Sequence, residues 1–220
     1  MKKMNISKIL AAICLSLLSA FILEAKENKN PKESRKANSA AARILVVGLD
    51  NNVKSNYFYM GMIAEETGIN AEHIDREYNR IIAENIAVYN KTSQCEFIPV
   101  EPEEVKGDCI RPIPLNGDEE NCNSDLSSIP ADEWKNILTH AEADYMLVLN
   151  QHYLKWQETP LRTLFHIVSY TLFDKDKKEI YRGNNYFTTM SLEKPDELRK
   201  ISRKSSSKIA ANVVKSLDDK

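Results

Sequence analysis

Residues 143–189 read ADYMLVLNQHYLKWQETPLRTLFHIVSYTLFDKDKKEIYRGNNYFTT, and this stretch decides the fold. It holds three apolar runs that read as strands, Ala143–Trp156, Leu161–Asp174 and Glu179–Thr189. The polar turn Asp174-Lys175-Asp176-Lys177-Lys178 predicts that the last two pair as a hairpin. In the middle run, alternation puts Leu164, His166, Val168, Tyr170 and Leu172 on one face. Phe165, Ile167, Ser169, Thr171 and Phe173 take the other. Both faces are largely apolar, so either helices cover both or one face docks a partner.

Upstream, Arg43 opens the continuous run Ile44-Leu45-Val46-Val47-Gly48-Leu49, closed by Asp50-Asn51-Asn52. That is the profile of a strand buried on both faces, then a turn. Tyr57–Glu66 is expected to be helical, ending near Gly68, and Asn70 to cap a second helix. The stripe of that second helix is Ile74, Tyr78, Ile81, Ile82, Asn85, Val88 and Tyr89. Residues 95–100 (CEFIPV) make a short strand, and residues 101–128, rich in Pro, Gly, Asn and acid, a long surface loop. A helix then starts at Ser127 or Ser128 and runs through Trp134, Ile137 and Leu138. A final helix spans about Pro195–Leu217, with Leu198, Ile201, Ile209, Val213 and Leu217 as its stripe. The order β-α(α)-β-loop-α-β-β-β-α predicts an α/β (α+β) domain, a mixed sheet of about five strands with helices packed on it.

The chain has 220 residues, 42% hydrophobic and 28% charged, enough apolar material for one core. Residues 1–25 have the three parts of a secretory signal peptide: basic Lys2, Lys3 and Lys8, the uncharged run Ile9–Leu23, and small residues for cleavage after Ala20 or Ala25. Fifteen apolar residues fall short of the roughly 20 that span hydrocarbon. A lipoprotein signal fits poorly, because Ile13 precedes Cys14 where a small residue is wanted. Without the leader, 27 basic residues face 31 acidic ones, which gives no electrostatic reason to bind nucleic acid or anionic lipid. Residues 26–42 (KENKNPKESRKANSAAA) read as a flexible polar linker, and residues 43–220 as a single domain. The expectation is an exported protein, periplasmic or extracellular, with no stable membrane span after cleavage.

Export leaves Cys95, Cys109 and Cys122 where disulfides form. Of three single-bridge choices, Cys109–Cys122 within the loop is favoured, leaving Cys95 as a buried thiol. No two of these cysteines have the short spacing of a zinc site.

The opening strand Arg43–Val47 carries a family resemblance, as do Ala143-Asp144-Tyr145 followed by its apolar run and the hairpin Val168–Asp174 with Lys178–Gly183. Together they resemble the small α/β domain shared by the TolB amino-terminal domain and by envelope proteins of the CsgG and LpoB type. The likeness covers most of residues 43–217. This chain departs from it in lacking a lipidation cysteine and in its long 101–128 loop. The resemblance implies an accessory domain of a bacterial envelope that binds another protein, with no catalytic residues to carry over.

Motifs of known chemistry are absent: no Gly-x-Ser-x-Gly turn, no Gly-rich phosphate loop, no His-Glu-x-x-His. His73 reads as a solvated helix residue and His140 as a partner for the last carbonyls of its helix. His152 and His166 lie on neighbouring strands and are expected to form an ordinary pair on the sheet surface; a pH sensor or half a metal site is the sharper alternative. A hydrolase would need Asp50, His152 and His166 in one pocket, and a small-ligand carrier an apolar cavity of at least about 300 Å³. The leading expectation is a non-enzymatic protein without cofactor or metal. Its candidate partner surface comprises Tyr57, Phe58, Tyr59, Tyr153 and Trp156, since consecutive aromatics on a helix cannot all face one core.

Overall fold

The central strand of the sheet is β6 (Tyr145–Gln157), and every other strand is placed by it, directly or through one neighbour. The computed structural model describes residues 41–101 and 113–218. On one side of β6 lie two parallel strands end to end, β1 (Ala42–Gly48) beside Tyr145–Leu149 and β2 (Val53–Ser55) beside His152–Leu154. Strand β3 (Cys95–Val100) runs parallel to β1 on its far edge. On the other side β7 (Thr163–Asp174) and β8 (Glu179–Thr189) continue antiparallel as the expected hairpin. The order is β3-β1-β6-β7-β8 with β2 against β6, a six-stranded mixed sheet where about five strands were expected. The extra one, three residues long, is too short to register as a hydrophobic pattern.

One face carries helices α2 (Ile74–Val88) and α4 (Pro195–Asp218). Their Ile82, Ile86, Ile209 and Val213 pack on Ile44, Val46, Leu147, Leu149 and Tyr170 of the strands. The opposite face carries α3 (Ala131–His140), whose Trp134, Ile137 and Leu138 pack on Leu45, Val47, Met146, Val148 and Phe173. Burial on both faces is why β1 lacks the alternation of a half-exposed strand. Helix α1 (Met60–Thr67) closes a third cluster around Val53, Ile63, Tyr78, Leu154 and Leu164.

Several boundaries differ from the sequence expectation. Tyr57 and Phe58 precede helix α1 rather than belonging to it. The helix ends at Gly68 as expected, in the left-handed conformation with φ 74°. Asn70 does cap, accepting from Glu72 N at 3.0 Å, but it caps a short 3-10 turn at Ala71–His73 that precedes α2. Val88, assigned to the α2 stripe, is exposed, as is Ile201 of α4. The buried face of α4 is completed instead by Ser202, Ser205 and Ser206, small residues where the helix faces α2 and the sheet. Asn85 ties the two helices together, donating to Arg199 O at 2.8 Å and Ser202 Oγ at 2.9 Å.

The 101–128 stretch is not wholly a surface loop. Leu115–Gly117 and Cys122–Ser124 form a hairpin, β4 and β5, and Cys122, Ser124 and Leu126 are buried. Helix α3 starts at Ala131, after Pro130, three or four residues later than the signal at Ser127 or Ser128 suggested.

Gly48 sits where no side chain fits: a Cβ there would lie 2.1 Å from Asn79 Cγ. Gly48→Ala is expected to cost about 2 kcal/mol or more by urea unfolding. In an Asn79→Gly background, which removes both the Cγ and the Cβ that lies 2.4 Å away, the same change should cost less than about 1 kcal/mol. Equal costs in both backgrounds would show that the contact is not the constraint.

Candidate functional site

The far end of the sheet, where β2 and β6 stop and β7 begins, carries several exposed large apolar side chains. Two polar side chains build it. Ser55 donates to Leu154 O at 2.7 Å and accepts from the backbone N–H groups of Tyr57 (3.1 Å) and Phe58 (3.0 Å). Asn56 accepts from Trp156 N at 2.7 Å and donates to Trp156 O at 3.1 Å, so its amide mimics one more strand residue. The chain is thus pinned with Tyr57 and Phe58 against Trp156. The Tyr57 ring stacks on the indole at 5.9 Å and the Phe58 ring meets it edge-on at 5.7 Å. At this end Tyr57 is 55% exposed, Tyr59 68%, Leu161 in the β6–β7 turn 75% and Met190 just past β8 79%, while exposed Tyr186 lies on the opposite face beside Phe165. A groove of about 460 Å³ runs along Asn51–Met60 and Ile63.

Four of the five expected surface aromatics, Tyr57, Phe58, Tyr59 and Trp156, therefore meet at one end. Tyr153 does not belong with them. It lies on the opposite face, buried, and its hydroxyl donates to Glu119 Oε2 at 2.8 Å. Burial and that carboxylate raise its pKa to about 12. A neighbouring ion pair, Lys155 with Glu120, helps hold the β4–β5 connection over this part of the sheet. Leu161 and Met190 were missed from sequence because isolated apolar residues at turns and strand ends carry no periodic signal.

His152 and His166 also correct the expectation, for they are not on a sheet surface. Both rings are buried between the sheet and α2, with His152 Nε2 3.1 Å from His166 Nδ1. His166 Nε2 lies 3.2 Å from Thr189 Oγ1. Phe187 stacks on His166 at 4.5 Å, and Tyr78 meets His152 edge-on at 4.9 Å. Burial pushes the His152 pKa down to about 3; burial and then the neighbouring ring hold His166 well below its ordinary value. A β-bulge between Leu149 and Gln151 sets which face these residues take, and no sequence pattern announces it.

Asp50 lies elsewhere, in a cleft of about 210 Å³ at the carboxyl ends of β1 and β3. Arg76, Arg80, Glu84 and Glu101 line it with Asp50, and neither histidine does. Its guanidiniums are engaged, Arg76 by Glu101 at 3.4 Å and Arg80 by Glu77 and Glu84. The three side chains of the dispersed hydrolase reading thus occupy two separate places. His73 is exposed, and His140 Nδ1 sits 2.7 Å from Asn136 O near the end of its helix, as expected. Among the described residues no group of three or more His, Cys, Asp or Glu is placed to hold a metal ion.

Cys95 and Cys122 are buried free thiols, and Cys122 Sγ lies 3.3 Å from Gln151 Oε1. Cys109, the expected bridge partner of Cys122, lies outside the described residues, as do the leader and most of the linker. No helix among the described residues is long and apolar enough to cross a membrane.

No protein-family model matches the chain, and no curated protein does. Loose likenesses exist among solved structures. The PelC dodecamer from Paraburkholderia phytofirmans is 10% identical with a TM-score of 0.38, over 80% of this chain and 92% of that one. Protein CT253 from Chlamydia trachomatis is 11% identical with a TM-score of 0.43, over 80% and 99%. Lipoprotein GNA1162 from Neisseria meningitidis is 14% identical with a TM-score of 0.34, over 81% and 99%. Likeness at this level says nothing of what the present chain binds.

The two tryptophans should separate cleanly in solution. Acrylamide is expected to quench half-buried Trp156 and to leave fully buried Trp134, which donates to Asp174 O at 2.8 Å, largely untouched. Trp156→Phe should remove the quenchable component. Equal quenching of both would contradict the packing of α3 on the sheet.

Proposed function

We propose that this chain is an exported, non-catalytic accessory protein of the cell envelope, and that it binds another protein through the aromatic end of its sheet. The observation that carries the reading is that Tyr57, Tyr59, Leu161 and Met190, all more than half exposed, lie at the end of the sheet that holds the stacked Tyr57–Trp156–Phe58 core. Monomeric proteins seldom leave so many large apolar side chains together in water, and Tyr and Trp supply much of the energy at protein interfaces. The trio is rigid at little entropic cost, because Ser55 and Asn56 already hold its backbone. The adjoining groove offers room for a side chain of the partner. Export rests on the basic, apolar and small-residue parts of residues 1–25.

Crosslinking in intact cells, followed by affinity recovery, tests this. Wild-type protein should yield a discrete protein adduct, and Tyr57→Ser/Tyr59→Ser/Leu161→Ser should lose at least nine-tenths of it while keeping its unfolding midpoint. An adduct that survives the triple change moves the interface elsewhere. No adduct at all from wild type overturns the binding reading.

A further inference from the structure

The buried histidine pair touches Tyr78 and Phe187, which share a layer with Phe58 and Trp156, and its hydrogen bonds have a single consistent direction. Thr189 Oγ1 has one proton, and gives it to Ser191 O at 2.6 Å. Toward His166 it can only accept, so Nε2 of His166 carries the proton and Nδ1 is a bare acceptor. His152 Nε2–H then donates to that Nδ1. This leaves His152 Nδ1 as a lone pair, buried and without a partner, and the Tyr78 hydroxyl is likewise buried without one. The relay runs from Tyr78 on α2 through β6 and β7 to the end of β8, beside exposed Met190. Phe58, Met60, Trp156 and Phe187 pack on the same cluster as Tyr78, Leu154 and Leu164.

A proton on either ring has nowhere to be accommodated in this arrangement. On His166 Nδ1 it would set N–H against N–H; on His152 Nδ1 it would place a cation among Tyr78, Phe187 and Leu154. Among the described residues the ionisable groups that face the pair are the two histidines themselves and the Tyr78 side chain against His152, on which Glu193 acts in turn. The Phe187 ring and the Thr189 hydroxyl also pack on the pair.

We propose that the His152–His166 relay is an acid-sensitive latch on the docking end: a proton taken from solvent by His152 Nδ1 releases the layer that holds Phe58, Trp156 and the Thr189–Ser191 segment, and docking weakens. This rests on the aromatic end being the interface. The sign follows from linkage. In the closed form both rings titrate below their ordinary value of 6.5, whereas in an opened form they regain it. The open form therefore binds more protons as pH falls through the ordinary value, and the closed form loses ground there. Two rings that titrate only when open favour opening by roughly tenfold each, about 100-fold together, between about pH 7.5 and 5.5.

The test is hydrogen exchange on the purified protein without partner, at pH 7.5 and 5.5 and corrected for intrinsic rates. Protection over residues 54–60, 153–158 and 186–191 should fall by about 100-fold in wild type, while the α3 region stays protected. In His152→Gln/His166→Gln the fall should vanish. Long-range proton–nitrogen NMR of the wild-type rings gives a second measurement that needs no variant: both should be Nε2–H tautomers, neutral below pH 5 while the protein is closed. A ring that titrates near 6.5 with protection intact, a wild-type response absent at pH 5.5, or an equal response in the double variant overturns the latch. Because no partner is present, such a result leaves the docking proposal standing, whereas absence of the crosslinked adduct would leave the acid-driven opening standing and overturn its role in docking.

Discussion

The side-chain amides of Asn52 and Asn79 hold each other in the interior, each donating to the other at 2.9 and 3.0 Å, and the shape of the sheet follows from that exchange. Each amide also takes a backbone carbonyl, Leu149 O at the bulge within β6 for Asn52 and Leu49 O just past β1 for Asn79. The pair thus closes the gap between β1 and β2, where the chain leaves the sheet for the turn at Asp50-Asn51 and returns. Without partners, two buried amides would each cost about 1–3 kcal/mol, so the break is tolerable only with α2 docked. Gly48 is what lets Asn79 approach.

On the other side of β6 the same problem has the same kind of solution. The bulge at Asn150 shifts the register against β7, and its amide accepts from Ser124 Oγ at 2.6 Å while donating to Cys122 O and Thr171 Oγ1 at 2.9 Å. This is why a stretch that looks like a solvated loop is drawn down onto the sheet as the β4–β5 hairpin. The two interruptions, opposite one another, divide the sheet into an apolar half under α3 and a half whose buried side chains include Gln151, His152, His166 and Ser169. The aromatic end is the terminus of that second half. Its position follows from backbone geometry set by Asn52, Asn79 and Asn150, on which its own Ser55 and Asn56 then build.

Much of the architecture was legible in the chain because burial leaves a period. The strand runs at 44–49 and 179–189, the stripe Ile74–Ile82 and the final helix were all apparent from apolar spacing alone. The errors fall where spacing has no voice. Serines complete the buried face of α4 because they permit close approach, yet serine in a helix reads as polar. Tyr153 was assigned to the surface because it neighbours Trp156 in sequence; three residues along a strand place the two on opposite faces. The histidine pair was visible as a pair, but a one-residue bulge decided that it faces α2 instead of water.

The sequence by itself determined the order of the elements and the existence of an apolar sheet covered by helices, because hydrophobic periodicity is a local property of the chain. It also supplied the aromatic residues of the candidate interface. Only the tertiary structure decided which of them share a surface, which end of the sheet they occupy and what lies beneath them. Those outcomes depend on register and on long-range polar pairs such as Asn52–Asn79, whose partners are 27 residues apart and leave no trace in either local pattern.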